Sequence, residues 1–539
     1  MKRRRLGVVT DGAFNAGLTV RLDAGCSTED LRIGDFVIVE GEHIRYFSMI
    51  SDLQLRATDI RLLADPPRDA SPFITQALSG INTYATVQVK PMLMLEKGEE
   101  LAFLDELSGP QPVRTIPMHF AELCQADAMD FATVFGQESK LNFAMGTPLT
   151  MDIPLCLKLD RLVERSTGIF GQTGTGKSFL VRLLLCGIIK AGVAVNLIFD
   201  MHDEYAFGKR SEDGQWVKGL RHLFGSQVLI YSLDERAASR EGRNVDVTLK
   251  IGLNQIEAED VLLLAEELDL TPASRTTVGL LQDSYGKEWL RELLRMSPED
   301  MAVFCQARAA HQGATEALQR KLRDVGRLDY VVDNVPFSVI DEMVAALDKG
   351  RHAILHFGRH DRPLDHMLVA NIVTRRVRHL YQGKVERYEQ TQVAADQPRT
   401  LVITLEEAHK FLSPTVSRQT IFGTIARELR KYYVTLMVVD QRPSGIDPEV
   451  MSQLGTRVTG KLTEERDIDA VLTGVANRSF LRGALESLDT REQVLLMGHA
   501  VPMPIQVRTR KYDEAFYRAM GAGGERRSAV QDIRELFGE

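Results

Sequence analysis

Eight consecutive residues, Gly171-Gln172-Thr173-Gly174-Thr175-Gly176-Lys177-Ser178, have the types and spacing of a phosphate-binding loop. The glycines let the backbone curl so that successive N–H groups face phosphate oxygens, and a helix starting directly after the loop adds the positive end of its dipole. The setting fits, because Gly168-Ile169-Phe170 precedes as a strand end and Phe179 to Ile189 follows as a helical run. In such a loop Lys177 reaches the β- and γ-phosphates and Ser178 is the expected Mg²⁺ ligand, with Phe179 opening the helix beside them.

Binding becomes hydrolysis only where a water is polarised next to the γ-phosphate. The buried-strand candidate Leu401-Val402-Ile403-Thr404-Leu405 runs into Glu406-Glu407-Ala408-His409, which puts two carboxylates at a strand's carboxyl edge, where open α/β sheets bind ligands. Glu406 is expected to hold Mg²⁺, directly or through water, and Glu407 to orient or deprotonate the attacking water. An aspartate is more usual at the first position, and Thr404 interrupts the apolar run. Two further strand ends belong to the same expected edge: Asn196 to Asp200 leads into Met201-His202-Asp203-Glu204-Tyr205, and Leu436 to Asp440 leads into Gln441-Arg442-Pro443-Ser444. Gln441 is placed to hydrogen-bond a γ-phosphate. His202 and His409 lack a second ligand at zinc spacing, so both are expected to support the site without holding metal.

These residues need a sheet to carry them. Apolar runs at 195–199, 228–231, 353–357, 401–405, 434–439 and 493–497, with helical patterns between most of them, predict a mostly parallel α/β sheet covered on both faces. From Gly7 to Val89, short β-like segments separated by turn residues predict a small barrel. The organisation expected is a barrel at 1–90, a connector at 91–150, the first part of an α/β core at 151–253, an all-helical insertion at 254–335, the second part of the core at 336–505 and a tail at 506–539. Within it, Pro91, Pro110, Pro112, Pro117 and Pro148 punctuate the connector. Ser297-Pro298-Glu299-Asp300 reads as a helix start, and the polar stretch 385–399 as a loop.

Composition narrows the setting. The 539 residues, 44% hydrophobic and 26% charged, are ordinary globular protein. With 66 Lys+Arg against 74 Asp+Glu, the net charge of -8 gives no global attraction to nucleic acid, so any DNA contact must come from a local basic surface. Five scattered cysteines without a CxxC pair fit reduced thiols in a cytoplasmic protein. The basic start Met1 to Arg5 is followed by Thr10, Asp11 and Asn15 before any apolar run forms, and the greasy stretch 179–199 contains Arg182, Lys190 and Asn196. Neither a signal peptide nor a membrane span is therefore expected.

Taken together, GQTGTGKS, FDMHDEY, LEEAHKF, ARELRKYYV and VVDQRPSGIDPEVMSQLGTRV occur in the order and approximate spacing of the HerA helicases, in the HerA/FtsK branch of RecA-like motors. The chain resembles that family over nearly its whole length, and its amino-terminal strands are similar to the small β-barrel that precedes the motor there. The resemblance implies a RecA-like P-loop motor acting as a homo-hexameric ring. Such a ring hydrolyses ATP with Mg²⁺ between subunits and moves double-stranded DNA through its channel. It further implies a NurA-like nuclease or another effector as partner, in DNA end processing or phage defence. An arginine of the segment bearing Arg427, Arg430 and Lys431 would serve the neighbouring subunit's nucleotide. Arg430, in the family's RKY triplet, is favoured, although Leu429 and Tyr433 stand where glycines are expected; Arg165 is a second candidate. Channel contacts would come from Lys209 and Arg210 beyond Tyr205 and from Arg418 in the loop after the acidic strand. The basic run Arg375 to His379 is expected on a helix, where it could pair with a neighbouring subunit. Two other readings share the loop: an ATPase ring that assembles and activates an effector without translocating, and a small-molecule kinase, for which no acceptor pocket is evident.

Overall fold

The computed structural model describes residues 3–58, 83–97, 109–210, 214, 216–234, 236, 245–335, 338–417, 421–475 and 478–521. The chain divides into two units, 1–158 with 496–510 and 159–495 with 511–539.

The first unit is built on strands β1 (Arg5–Ala13), β2 (Gly17–Leu22), β3 (Phe36–Glu40), β4 (Ile44–Ala57), β5 (Thr83–Glu96) and β6 (Glu122–Gln125). They are ordered β2-β1-β6-β3-β4-β5 and closed by pairing of β2 with β5, so no edge is left in this six-strand antiparallel barrel. Leu6, Val9, Leu18, Val20, Val37, Val39, Ile50, Val87, Val89 and Leu123 fill it. Strand β3 is buried on both faces: Val37 and Val39 face the barrel core, while Phe36 joins Phe47 and helix α1 (Ala128–Phe135) through Phe131 and Phe135. Helix α1 starts on a capping box between Asp127 and Asp130, and Arg3 ties it down through Asp130, with Nε–Oδ2 at 2.9 Å.

The stretch 91–150 is therefore more than a connector, since β5 runs to Glu96 and β6 lies between β1 and β3. Proline misled there because two of the prolines occupy positions a sheet tolerates: Pro91 sits opposite Ser48 where the β4–β5 register shifts, and Pro112 belongs to a two-residue pair on β5. Strands β7 (Asn142–Pro148) and β8 (Leu155–Lys158) form an antiparallel hairpin, and Ile505–Thr509 pairs with β7, so part of the expected tail is strand.

The second unit is a parallel sheet. Its strands are β9 (Thr167–Phe170), β10 (Val195–Asp200), β11 (Val228–Ser232), β12 (His352–His356), β13 (Leu401–Leu405), β14 (Val434–Asp440) and β15 (Thr456–Thr459), in the order β11-β12-β10-β13-β14-β9-β15. Every residue of these seven strands is buried, which is why β10 to β14 read as apolar runs without alternation, whereas β15, Thr-Arg-Val-Thr, is buried without being apolar. This order brings the carboxyl ends of β9, β10, β13 and β14 to one edge of the sheet. Helices cover it, including α2 (Lys177–Ala191).

Four helices dominate the stretch 254–335: α3 (Pro272–Tyr285), α4 (Trp289–Arg295), α5 (Pro298–Arg308) and α6 (Gln312–Gly326). Ser297 caps α5 in a capping box with Asp300. Buried polar groups bind these helices: Trp289 Nε1 donates to Ile256 O at 2.9 Å, and Gln319 Nε2 to Leu293 O at 2.8 Å. Helix α7 (Pro363–Thr391) carries the run Arg375 to His379, and it corrects two expectations. It runs on to Thr391, through the first half of the polar stretch 385–399 read as a loop, where Val385 is still buried, and the rest of that stretch is not helical beyond a 3₁₀ turn at Ala394–Asp396. Its arginines are matched within the chain, Arg375 by Glu257 and Asp260 and Arg376 by Asp341. Among the described residues no helix is long and apolar enough to cross a membrane.

Candidate nucleotide site

The loop between β9 and α2 is the centre of the site. Gly174 and Gly176 have φ of 81° and 85°, a region that strains any residue with a Cβ. Thr175 Oγ1 donates to Gln172 O at 2.7 Å and pins the loop's curl. Lys177 Nζ donates to Gly171 O at 2.7 Å and Gln172 O at 2.8 Å, closing the ring that a phosphate chain would enter. Burial lowers the Lys177 pKa, opposed by the negative charges of Glu407, Asp440 and Glu406. Ser178 and Phe179 lie in the first turn of α2. Phe179 is partly exposed, with Arg182 over its ring and Tyr512 at 6.2 Å between centroids.

The acidic edge approaches this loop through three residues from three segments. Thr173 Oγ1 donates to Gln441 Oε1 at 2.6 Å, and Gln441 Nε2 donates to Glu407 Oε1 at 3.1 Å. Strand β13 and strand β14 are neighbours, and β14 is paired with β9, so parallel register alone brings their ends together. Glu407 has φ of 47°, a left-handed conformation that is costly for a residue with a Cβ and is found at functional turns. Behind it, Asp440 accepts from the His409 N–H at 2.7 Å and from its Nδ1 at 2.9 Å, fixing the turn after β13. The Asp440 hydrogen bond raises the His409 pKa.

Glu406 is fully buried. Tyr205 donates its hydroxyl proton to Glu406 Oε1 at 2.6 Å, whereas Oε2 has no hydrogen-bond partner within the protein. Burial, with Asp200 nearby, pushes the Glu406 pKa up to about 8. Among the described residues no cluster of three or more His, Cys, Asp or Glu gathers to hold a metal. A hydroxyl and one carboxylate nevertheless suit Mg²⁺, a hard cation that keeps waters and phosphate oxygens in most of its positions. The orphaned, buried Oε2 is the kind of atom such a cation would satisfy, so the donors present fit the group. Asp200, at the end of β10, accepts from the backbone N–H groups of Glu204 at 2.6 Å, Tyr205 at 3.0 Å and Ala206 at 2.9 Å, which holds Tyr205 in place. Tyr205, Asp200 and Asp440 escape a reading by role. Asp200 and Asp440 end strands and Tyr205 lies in the loop after one, so each looks like part of a loop beginning, and only the fold turns it toward Glu406 or His409.

The remaining candidates are spread more widely. Arg165 precedes β9, at the opposite end of that strand from the loop. Arg427 ends helix α8 (Ile421–Glu428), with NH2 donating to Ser417 O at 3.3 Å. Arg430 and Lys431 fall in a 3₁₀ turn, Leu429–Tyr432; Lys431 is exposed, and the Arg430 side chain lies outside the described ones. Lys209 and Arg210 pair with Val217 and Trp216 in a short hairpin, where Lys209 is matched by Glu204 and Arg210 is exposed. Arg418 lies outside the described residues.

Comparison with known proteins bears on the whole chain. Residues 143–377 match the family described as "Helicase HerA, central domain". The DNA double-strand break repair helicase HerA of Sulfurisphaera tokodaii is 25% identical over 457 residues, 82% of this chain and 84% of that protein. Its counterpart from Sulfolobus acidocaldarius is 24% identical over 513 residues, 94% of each chain. Among solved structures, VirB4 of Thermoanaerobacter pseudethanolicus superposes with a TM-score of 0.45 at 14% identity, covering 71% of this chain and all of that one.

Proposed function

We propose, on the premise that the chain is a P-loop ATPase related to the HerA helicases, that Lys177, Ser178, Glu406, Glu407 and Gln441 form one Mg·ATP hydrolysis site in a ring-forming motor acting on double-stranded DNA. The observation that carries this reading is the hydrogen-bonded path from Thr173 through Gln441 to Glu407, which ties the phosphate loop to the acidic strand end. Lys177 leaves the two loop carbonyls and binds the β- and γ-phosphates. Glu407 accepts a proton from, or orients, the water that attacks the γ-phosphorus, and Gln441 relays phosphate occupancy to Glu407. Mg²⁺, held by Ser178 and Glu406, would neutralise charge on the phosphate oxygens. Arg430, with Arg427 and Arg165 as alternatives, is supplied to the neighbouring subunit's nucleotide in a hexamer. Lys209, Arg210 and Arg418 grip phosphates in the channel. A nuclease or other effector partner, work in DNA end repair or phage defence, and a cytoplasmic location complete the reading.

Its test has two arms. Lys177→Ala abolishes nucleotide binding, while Glu407→Gln keeps binding and lowers turnover by about 10²–10⁴-fold. A Glu407→Gln protein that hydrolyses ATP at the normal rate removes Glu407 from the role of base. Duplex DNA should raise ATP turnover of the wild-type particle. If turnover ignores DNA in an assembled ring, the ATPase scaffold that activates an effector is the better reading.

A further inference from the structure

Glu406 has one more rotatable bond than the aspartate commonly found at such a position, so a mobile carboxylate would present either oxygen to a cation. The structure removes that freedom from outside the acidic strand. Tyr205 and Glu406 are both buried, and the Tyr205 hydroxyl occupies Glu406 Oε1 at 2.6 Å, leaving Oε2 without a protein partner. Tyr205 is itself fastened at two points. Asp200 gathers the N–H groups of residues 204 to 206, and the buried Arg182 of α2 donates Nε to Glu204 O at 2.7 Å. Arg182 lies one turn beyond Ser178 on the same helix, so the tyrosine is anchored to the element that carries the other expected metal ligand.

We infer that Tyr205 is a positioning residue for the metal carboxylate: its hydroxyl holds Glu406 in one orientation so that the second oxygen stays available to Mg²⁺. The inference rests on the nucleotide-site reading above. Outer hydrogen bonds to metal-binding carboxylates are commonly worth about 10–100-fold in metal affinity.

The measurement is binding of a fluorescent ATP analogue to the full chain, titrated with Mg²⁺ and repeated in excess EDTA. Tyr205→Phe should raise the Mg²⁺ concentration for half-maximal tightening by about tenfold, while affinity in EDTA stays at the wild-type value. An unchanged Mg²⁺ requirement in a folded Tyr205→Phe protein overturns the inference, as does an equal loss of affinity with and without Mg²⁺. If Tyr205→Phe does not fold, Glu406→Asp decides. Aspartate is a good Mg²⁺ ligand but is one methylene too short to keep the tyrosine contact, so the Mg²⁺ requirement should rise; an unchanged or lower requirement overturns the inference. Wild-type protein whose nucleotide binding ignores Mg²⁺ would instead sink the site reading itself, and this inference with it.

Discussion

Glu407 and Gln441 matter less as isolated residue types than as a pair made by adjacent strand ends. Glu407 bends through a left-handed conformation, and the turn is held from behind by Asp440 and His409. That support is pH-dependent. The His409 pKa is raised above its ordinary 6.5 by the Asp440 hydrogen bond, so the native state binds the proton more tightly than the unfolded chain. The stabilisation is therefore complete below pH 6.5 and is lost as pH rises through the folded value. Unfolding midpoints of wild type and His409→Gln should lie furthest apart near pH 6 and converge toward pH 9. A gap that widens with pH would place the proton on the wrong side of this argument.

At the scale of elements, the turn from the 3₁₀ segment Leu429–Tyr432 into β14 holds a residue at positive φ that is not glycine. Tyr433 stands where a glycine is expected, and it adopts the glycine conformation, with φ of 59°. Its carbonyl still accepts the Leu401 N–H at 2.8 Å and so starts the pairing of β13 with β14. A non-glycine residue thus carries the strain of this turn. Tyr433→Val, which adds β-branching at positive φ, should destabilise by about 1–2 kcal/mol, whereas Tyr433→Gly should stay within about 1 kcal/mol of wild type. Denaturant midpoints check both. Equal losses for valine and glycine would show that the tyrosine ring, not the backbone, governs this turn.

For the whole molecule, two buried histidines predict acid sensitivity. His352 on β12 and His366 on α7 are both lowered from 6.5 to about 4, chiefly by burial. His352 Nδ1 lies 3.2 Å from the Asn196 backbone N–H and 3.0 Å from its Nδ2, contacts that suit a neutral ring accepting at Nδ1. Below pH 6.5 the unfolded chain takes up protons that the native state refuses, so stability is full above 6.5 and falls as pH drops toward 4. The melting temperature should decline between pH 7 and pH 5, and a His352→Asn variant should decline less steeply over that range. At neutral pH the proposed ring makes a further demand: ATP turnover per chain should rise with protein concentration until assembly is complete, as sedimentation measured in parallel would report.

The sequence alone determined the phosphate loop, the acidic pair, the parallel sheet and the barrel. Each rests on local chemistry or on periodicity: glycine spacing around Lys177, carboxylates directly after an apolar run, and continuous apolar strands that only a doubly covered sheet can bury. Tertiary structure decided the rest, because it depends on which distant segments become neighbours. The order β10-β13-β14-β9 brings Tyr205 to Glu406 and Gln441 to both Thr173 and Glu407, partners separated by 201, 268 and 34 positions respectively. The basic run on α7 looked free to bind because its acidic partners, Glu257, Asp260 and Asp341, are remote in the chain. Pro91 looked like a break because a register shift in the facing strand is invisible until the strands are paired.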